Sequence, residues 1–187
     1  MEIKKIIAKK ELEVIGGKPQ VFRYWDDNKI KNIDILSSTD RPYCGIVSYA
    51  TIGLSEHDIG LFNNNKSLRV ELLGACNEKE AFFANILASV AFEVMKQGKC
   101  LYGDIVQNVI SEYSKNTEMK HVYLMDPFLW EEFKTLEFED VSVAWLLLIP
   151  ISEQEKEYAI VNGGEALEDK LEDAHIDIFD LNRKSIL

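Results

Sequence analysis

The chain has 187 residues, 47% of them apolar and 10% aromatic, which suits one globular domain burying its own core and excludes a disordered polymer. A formal charge of −11 argues against nucleic acid as a direct ligand. The longest apolar stretches, 81–94 and 143–151, fall short of the roughly 18–20 residues a membrane-spanning helix needs. The N-terminal "MEIKKIIAKKELEVIGG" lacks a signal-peptide core, so the expectation is a cytoplasmic protein.

Within residues 2–14, Ile3, Ile6, Ile7, Leu12 and Val14 predict a short amphipathic helix that stops at Gly16-Gly17. "VFRYW" (21–25), "NIDIL" (32–36) and "GIVSYATIG" (45–53) are rich in β-branched and aromatic residues and predict strands. The turn-forming "DDNK" (26–29) makes the first two a hairpin. "SLRVELLGAC" (67–76) predicts another strand, entered through the loop "NNNK". Over 78–97, Phe83, Leu87, Val90 and Val94 share a helical face that Phe82, Ile86 and Met95 widen. Only a thin polar stripe of Asn85, Ser89 and Glu93 remains, so this helix is expected to be buried on most sides against the sheet, ending at Gly98.

Residues 99–140 are less regular. "CLYGDIVQNVI" can hold a short strand, "HVYLM" (121–125) predicts a strand, and "DPFLWEEF" a loop covering the core. "VSVAWLLLIPI" (141–151) has the unbroken apolar run of a central strand covered on both faces. Ser152 with Glu155 is a capping-box signature for a helix that runs to about Val161 and breaks at Asn162-Gly163-Gly164. A second acidic helix, about 165–174, turns Ala166, Leu167, the Lys170 stem and Leu171 inward, and "IDIFDL" (176–181) adds a last strand or an extended tail. The fold class is α/β (α+β): a single domain over 1–187 with a mixed β-sheet packed against helices.

Catalytic signatures are absent: no GxGxxG, GxxxxGK[ST], GxSxG or HExxH occurs. Cys44, Cys76 and Cys100 are odd in number and far apart, which suits reduced thiols rather than a disulfide framework or zinc site. His57-Asp58 lacks the His-rich partners of a metal site, since His121 and His175 are the only other histidines. No cofactor or metal is expected. Carboxylates used as general acid or base need a cleft that shifts their pKa, whereas here they ride on amphipathic helices as a solvated or docking face. Anion binding at Gly163-Gly164 would meet repulsion from both acidic helices, so these glycines are expected to break the helix.

The charge is one-sided. Residues 1–125 hold 16 Asp/Glu and 16 Lys/Arg, whereas residues 126–187 hold 16 Asp/Glu against five Lys/Arg, which accounts for the whole −11. Such asymmetry gives a directional field able to steer a basic partner.

The C-terminal block Trp145-Leu146, Pro150-Ile151, Glu155, Gly164, Ala166-Leu167, Asp180 and Arg183 resembles the suppressor-of-fused (SUFU) domain family. "YWDD" (24–27), "GLS" (53–55) and "RVEL" (69–72) fall in the expected order upstream. The size is similar to the bacterial immunity/antitoxin branch of that family. The resemblance implies a protein without catalytic residues whose partner is a cognate LXG-type nuclease toxin with a basic C-terminal domain. It also implies that Trp145, Pro150, Gly163, Gly164 and Arg183 determine the fold. A nuclease must bind a polyanion, so an acidic inhibitor can associate quickly with its phosphate-binding surface. Candidate docking residues are Glu153, Glu157, Glu165, Glu168, Asp169, Glu172, Asp173 and Asp177, joined by Glu131, Glu132, Glu137, Glu139 and Asp140. The alternative is a non-enzymatic adaptor or regulator of the same fold with an unrelated protein partner. An enzyme would require a deep pocket gathering His57 and several carboxylates.

Overall fold

The computed structural model describes residues 3–187. In chain order the helices are α1 (Ile3–Ile15), α2 (Phe83–Gln97), α3 (Glu153–Asn162) and α4 (Gly164–Asp173). The strands are β1 (Gln20–Trp25), β2 (Asn32–Thr39), β3 (Ile46–Ile52), β4 (Leu61–Asn63), β5 (Lys66–Asn77), β6 (Ile105–Val106), β7 (Met119–Met125), β8 (Leu136–Glu137) and β9 (Val141–Ser152). They form one sheet in the order β1-β2-β3-β5-β9-β7-β6, with β4 added to β5 and β8 to β9. The central β5–β9 pair is parallel and every other pair is antiparallel.

Strand alternation divides the core in two. Leu146 and Leu148 of β9 join α2, Leu72 and Tyr49 on one face. Trp145, Leu147 and Ile149 join Ile7 of α1, Ala159 of α3 and Leu167 and Leu171 of α4 on the other. Both faces of β9 are therefore covered, which is why it reads as a continuous apolar run. The loop after β7 folds over the second face, where Trp130 and Phe133 are buried and the Phe133 ring lies 5.1 Å from that of Trp145.

Four expectations shift. The helix expected over 78–97 begins at Phe83, because residues 77–82 are used by turn bonds from Glu80 N to the Asn77 carbonyl and from Phe83 N to the Glu80 carbonyl. "IDIFDL" makes no strand: Asp177 Oδ1 accepts from Phe179 N and Asp180 Oδ1 accepts from Asn182 N, local bonds that divert donors a strand would need. On α1 the buried face is Ile7, Glu11 and Ile15, so a carboxyl goes inward while Leu12 stays exposed. Lys170 of α4 is also exposed.

Candidate functional site

The C-terminal motif is a framework of buried polar bonds. Arg183 donates from both terminal nitrogens to the two Glu155 carboxylate oxygens at 2.7 Å, and to the Pro150 carbonyl at 2.8 Å. Glu155 also accepts from Ser152 N, while Glu155 N donates to the Ser152 hydroxyl, completing the capping box that starts α3. Trp145 Nε1 donates to Glu11 at 3.1 Å, tying β9 to α1. Gly163, at φ +94°, lets the chain reverse from α3 into α4, and a Cβ on Gly164 would collide with the Tyr123 hydroxyl. Upstream, the buried Glu71 accepts from the backbone N–H groups of Gly53, Leu54 and Ser55 and from the hydroxyls of Thr51 and Ser55. The "GLS" and "RVEL" segments are thus one physical unit in which a carboxylate holds a loop. These residues position the surface rather than form it.

That surface is the outer side of the α3–α4 hairpin. Helical spacing places Glu165, Asp169 and Glu172 on one stripe of α4 opposite the buried Leu167 and Leu171, with Asp173 at its margin. All four are exposed, as is Glu157 on α3. Among the described residues none of these five carboxylates forms an ion pair. Ile160 and Val161, 67% and 80% exposed, add an apolar corner at the end of α3.

Several other candidates are already engaged. Glu153 contacts Lys156 and lies 2.8 Å from His121 Nε2, and these partners hold its carboxyl below the ordinary range. The buried His121 receives Asn108 N–H at Nδ1, so its proton sits on Nε2 and points at Glu153. Burial nevertheless pulls the His121 pKa down, outweighing the Glu153 carboxylate. Glu168 is half-buried and accepts from the hydroxyls of Tyr102 and Tyr123. Asp177 is exposed beyond α4, where it closes a local turn. Glu131, Glu132, Glu139 and Asp140 are exposed, whereas Glu137 pairs with Lys66 at 3.0 Å.

Two grooves had no counterpart in the sequence patterns. One, of about 940 Å³, runs along α2 on the sheet face away from the acidic helices, and Asn85, Ser89 and Glu93 line it. The polar stripe was legible, but which elements flanked it was not. The other, of about 630 Å³, lies beside β9 between β7 and β8. Asp58 pairs with Arg69 at 2.7 Å, and among the described residues no three His, Cys, Asp or Glu side chains converge as metal ligands.

Residues 29–184 match the family model described as suppressor of fused protein (SUFU). The chain belongs to the SUFU family. The curated immunity protein YqcF of Bacillus subtilis (strain 168) is 45% identical over 185 residues, covering 98% of this chain and 96% of that protein. This likeness supports an immunity function. A crystal structure of a SUFU homolog from Neisseria gonorrhoeae superposes with a TM-score of 0.73 at 15% identity, over 98% of this chain and 96% of that one. Drosophila Suppressor of Fused gives a TM-score of 0.55 at 13% identity, over 89% of this chain but 42% of the fly protein. This SUFU domain therefore matches less than half of the longer animal chain, and the two structural likenesses show the fold alone.

Proposed function

We propose that this SUFU-family chain is an immunity protein that binds a cognate nuclease toxin of the LXG type in the cytoplasm and neutralises it by protein–protein contact. The observation carrying the reading is the α4 stripe Glu165, Asp169 and Glu172, with Asp173 and Glu157 beside it, unpaired and adjoining the exposed Ile160-Val161 corner. A free acidic stripe raises the association rate with a cationic partner, and an adjoining apolar patch gives the contact a surface to desolvate. The likeness to an immunity protein supports a toxin as the partner. The charge geometry supplies the means of recognition, with no chemical step asked of the chain.

The test is association with the catalytically inactivated C-terminal domain of the cognate LXG-type toxin, measured over a range of salt. Steering predicts an association rate that falls steeply with ionic strength, and a charge reversal at Asp169, Glu172 and Asp173 that lowers it about tenfold or more at low salt. Glu168 is left out of that set because its tyrosine bonds make it structural. A salt-independent rate, or full protection from the reversed variant, refutes the docking face. The adaptor alternative is favoured by the groove along α2, on the other side of the sheet. It predicts that binding defects map there and leave α4 silent.

A further inference from the structure

The sheet has a window. On the side of β9 away from β5, β7 pairs down to Met125↔Leu147 and β8 resumes only at Leu136↔Val143. Ala144, Trp145 and Leu146 therefore have no strand partner on that side, because residues 126–135 leave the sheet to fold over its second face before returning as β8. The groove of about 630 Å³ opens there, within the size range of sites that enclose a ligand or an anchor side chain. Its floor is apolar, built from Leu68 and Val70 of β5 and Ala144 and Leu146 of β9. Its mouth is aromatic: Tyr102 is 44% and Phe128 50% exposed, although both are large side chains flanking an apolar recess.

The rim is acidic. Asp126 and Glu131 line the groove, both are exposed, and among the described residues neither forms an ion pair. Among the described residues, Lys134 is the only basic one lining it. The groove also reaches α4, since Tyr102 donates its hydroxyl to Glu168. The charges of Glu168, Asp126 and Glu165 all bear on that phenol. Burial and these carboxylates hold the Tyr102 pKa above its ordinary value, so it remains a neutral hydrogen-bond donor and a flat ring face.

Resting on the toxin-neutralising reading above, we infer that the β7–β8 window is an anchor pocket for an arginine side chain of the bound cationic protein. The match is chemical. An apolar floor takes the methylene stem, Tyr102 and Phe128 offer faces for a planar, weakly hydrated guanidinium, and Asp126 and Glu131 accept its N–H groups. Lysine fits less well, because its compact ammonium is strongly hydrated and cannot stack. A purely aliphatic anchor would leave both rim carboxylates to be desolvated without a partner. Anchors of this kind concentrate binding energy at a few buried contacts and act on the dissociation rate, whereas the α4 stripe acts on association.

The experiment measures affinity and dissociation rate for the same inactivated toxin domain with the full chain and two variants, Phe128→Ala and the pair Asp126→Asn/Glu131→Gln. All three side chains are exposed, so thermal midpoints of the free variants should stay close to the parent's. Each variant is expected to weaken binding at least tenfold, mainly through faster dissociation. One arginine of the toxin domain, replaced by alanine, should lose its effect in the Phe128→Ala background. Variants that bind within twofold of the parent overturn the pocket and leave the toxin reading standing. A loss in Phe128→Ala alone, with the carboxylate pair silent, overturns the arginine assignment in favour of an apolar anchor. If the parent chain itself fails to bind the toxin domain, the reading beneath the inference has failed, and the inference with it.

Discussion

Replacing Arg183 by methionine removes one half of a buried pair and leaves Glu155, fully buried, without its counter-charge. Breaking such a pair typically costs about 3–5 kcal/mol, most of it the penalty of an uncompensated buried charge. Glu155 would still accept from Ser152 N at 2.9 Å and Ile186 N at 3.2 Å, which favours the lower end, about 3 kcal/mol. The variant also frees the Pro150 carbonyl, which Arg183 reaches at 2.8 Å. For a domain of this size the loss corresponds to roughly 6–12 °C in thermal midpoint, read by circular dichroism or calorimetry. Adding Glu155→Gln removes the stranded charge while keeping an acceptor for the Ser152 cap, so the double variant should regain about 1 kcal/mol or more over Arg183→Met. A single-variant shift below about 3 °C would contradict the loss worked out above. So would a double variant no more stable than the two single losses added together.

Three further perturbations separate the buried groups. Burial, and secondly the Glu71 charge, raise the Glu11 carboxyl well above its ordinary pKa, so its stabilising protonated form is fully present below about pH 4.3 and lost as the pH rises. Glu11→Gln should therefore raise the thermal midpoint at pH 8 and leave it unchanged near pH 4; an equal effect at both would show that the carboxyl is not held protonated. Gly164→Ala drives a methyl into the Tyr123 hydroxyl and should cost about 1–3 kcal/mol in urea denaturation, with partial recovery on adding Tyr123→Phe. If Tyr123→Phe restores nothing, the collision is not the cause. Burial lowers the His121 pKa, so the unfolded chain protonates first on acidification and stability is lost as the pH falls below about 6.5. His121→Gln should flatten the fall in urea midpoint between pH 7 and 5, and an unaltered slope would place that proton uptake elsewhere.

Local and periodic features were legible in the chain. The β9 run, the capping box at Ser152 and Glu155, the break at Gly163 and the amphipathic α4 each depend on a few neighbouring residues, and each stands where its pattern placed it. The ends of elements were less so: turn bonds at 77–83 and the aspartates at 177 and 180 compete with the regular ladder through geometry no periodicity records. The net charge of the last 62 residues was a matter of counting, but the fate of each carboxylate was not. Apart from the capping signature that marks Glu155, the side chains of Glu153, Glu155, Glu168 and Glu172 look alike in one dimension. In the fold, the first is held by His121 and Lys156, the second is buried under Arg183, and the third bridges two tyrosines. Of these four, Glu172 alone stands free among the described residues, on the α4 stripe it shares with Glu165 and Asp169.

Composition and spacing thus determined a sheet packed against helices and an acidic C-terminal third, while the family was reached through the resemblance of the C-terminal motif. The tertiary structure decided which charges are spent inside the framework and which remain exposed and unpaired. It also opened the window beside β9, where Tyr102, Asp126 and Phe128 meet residues from β5 and β9. The reason is physical: a hydrophobic period reports one element's burial, whereas a pairing gap and a counter-charge depend on segments brought together only by folding.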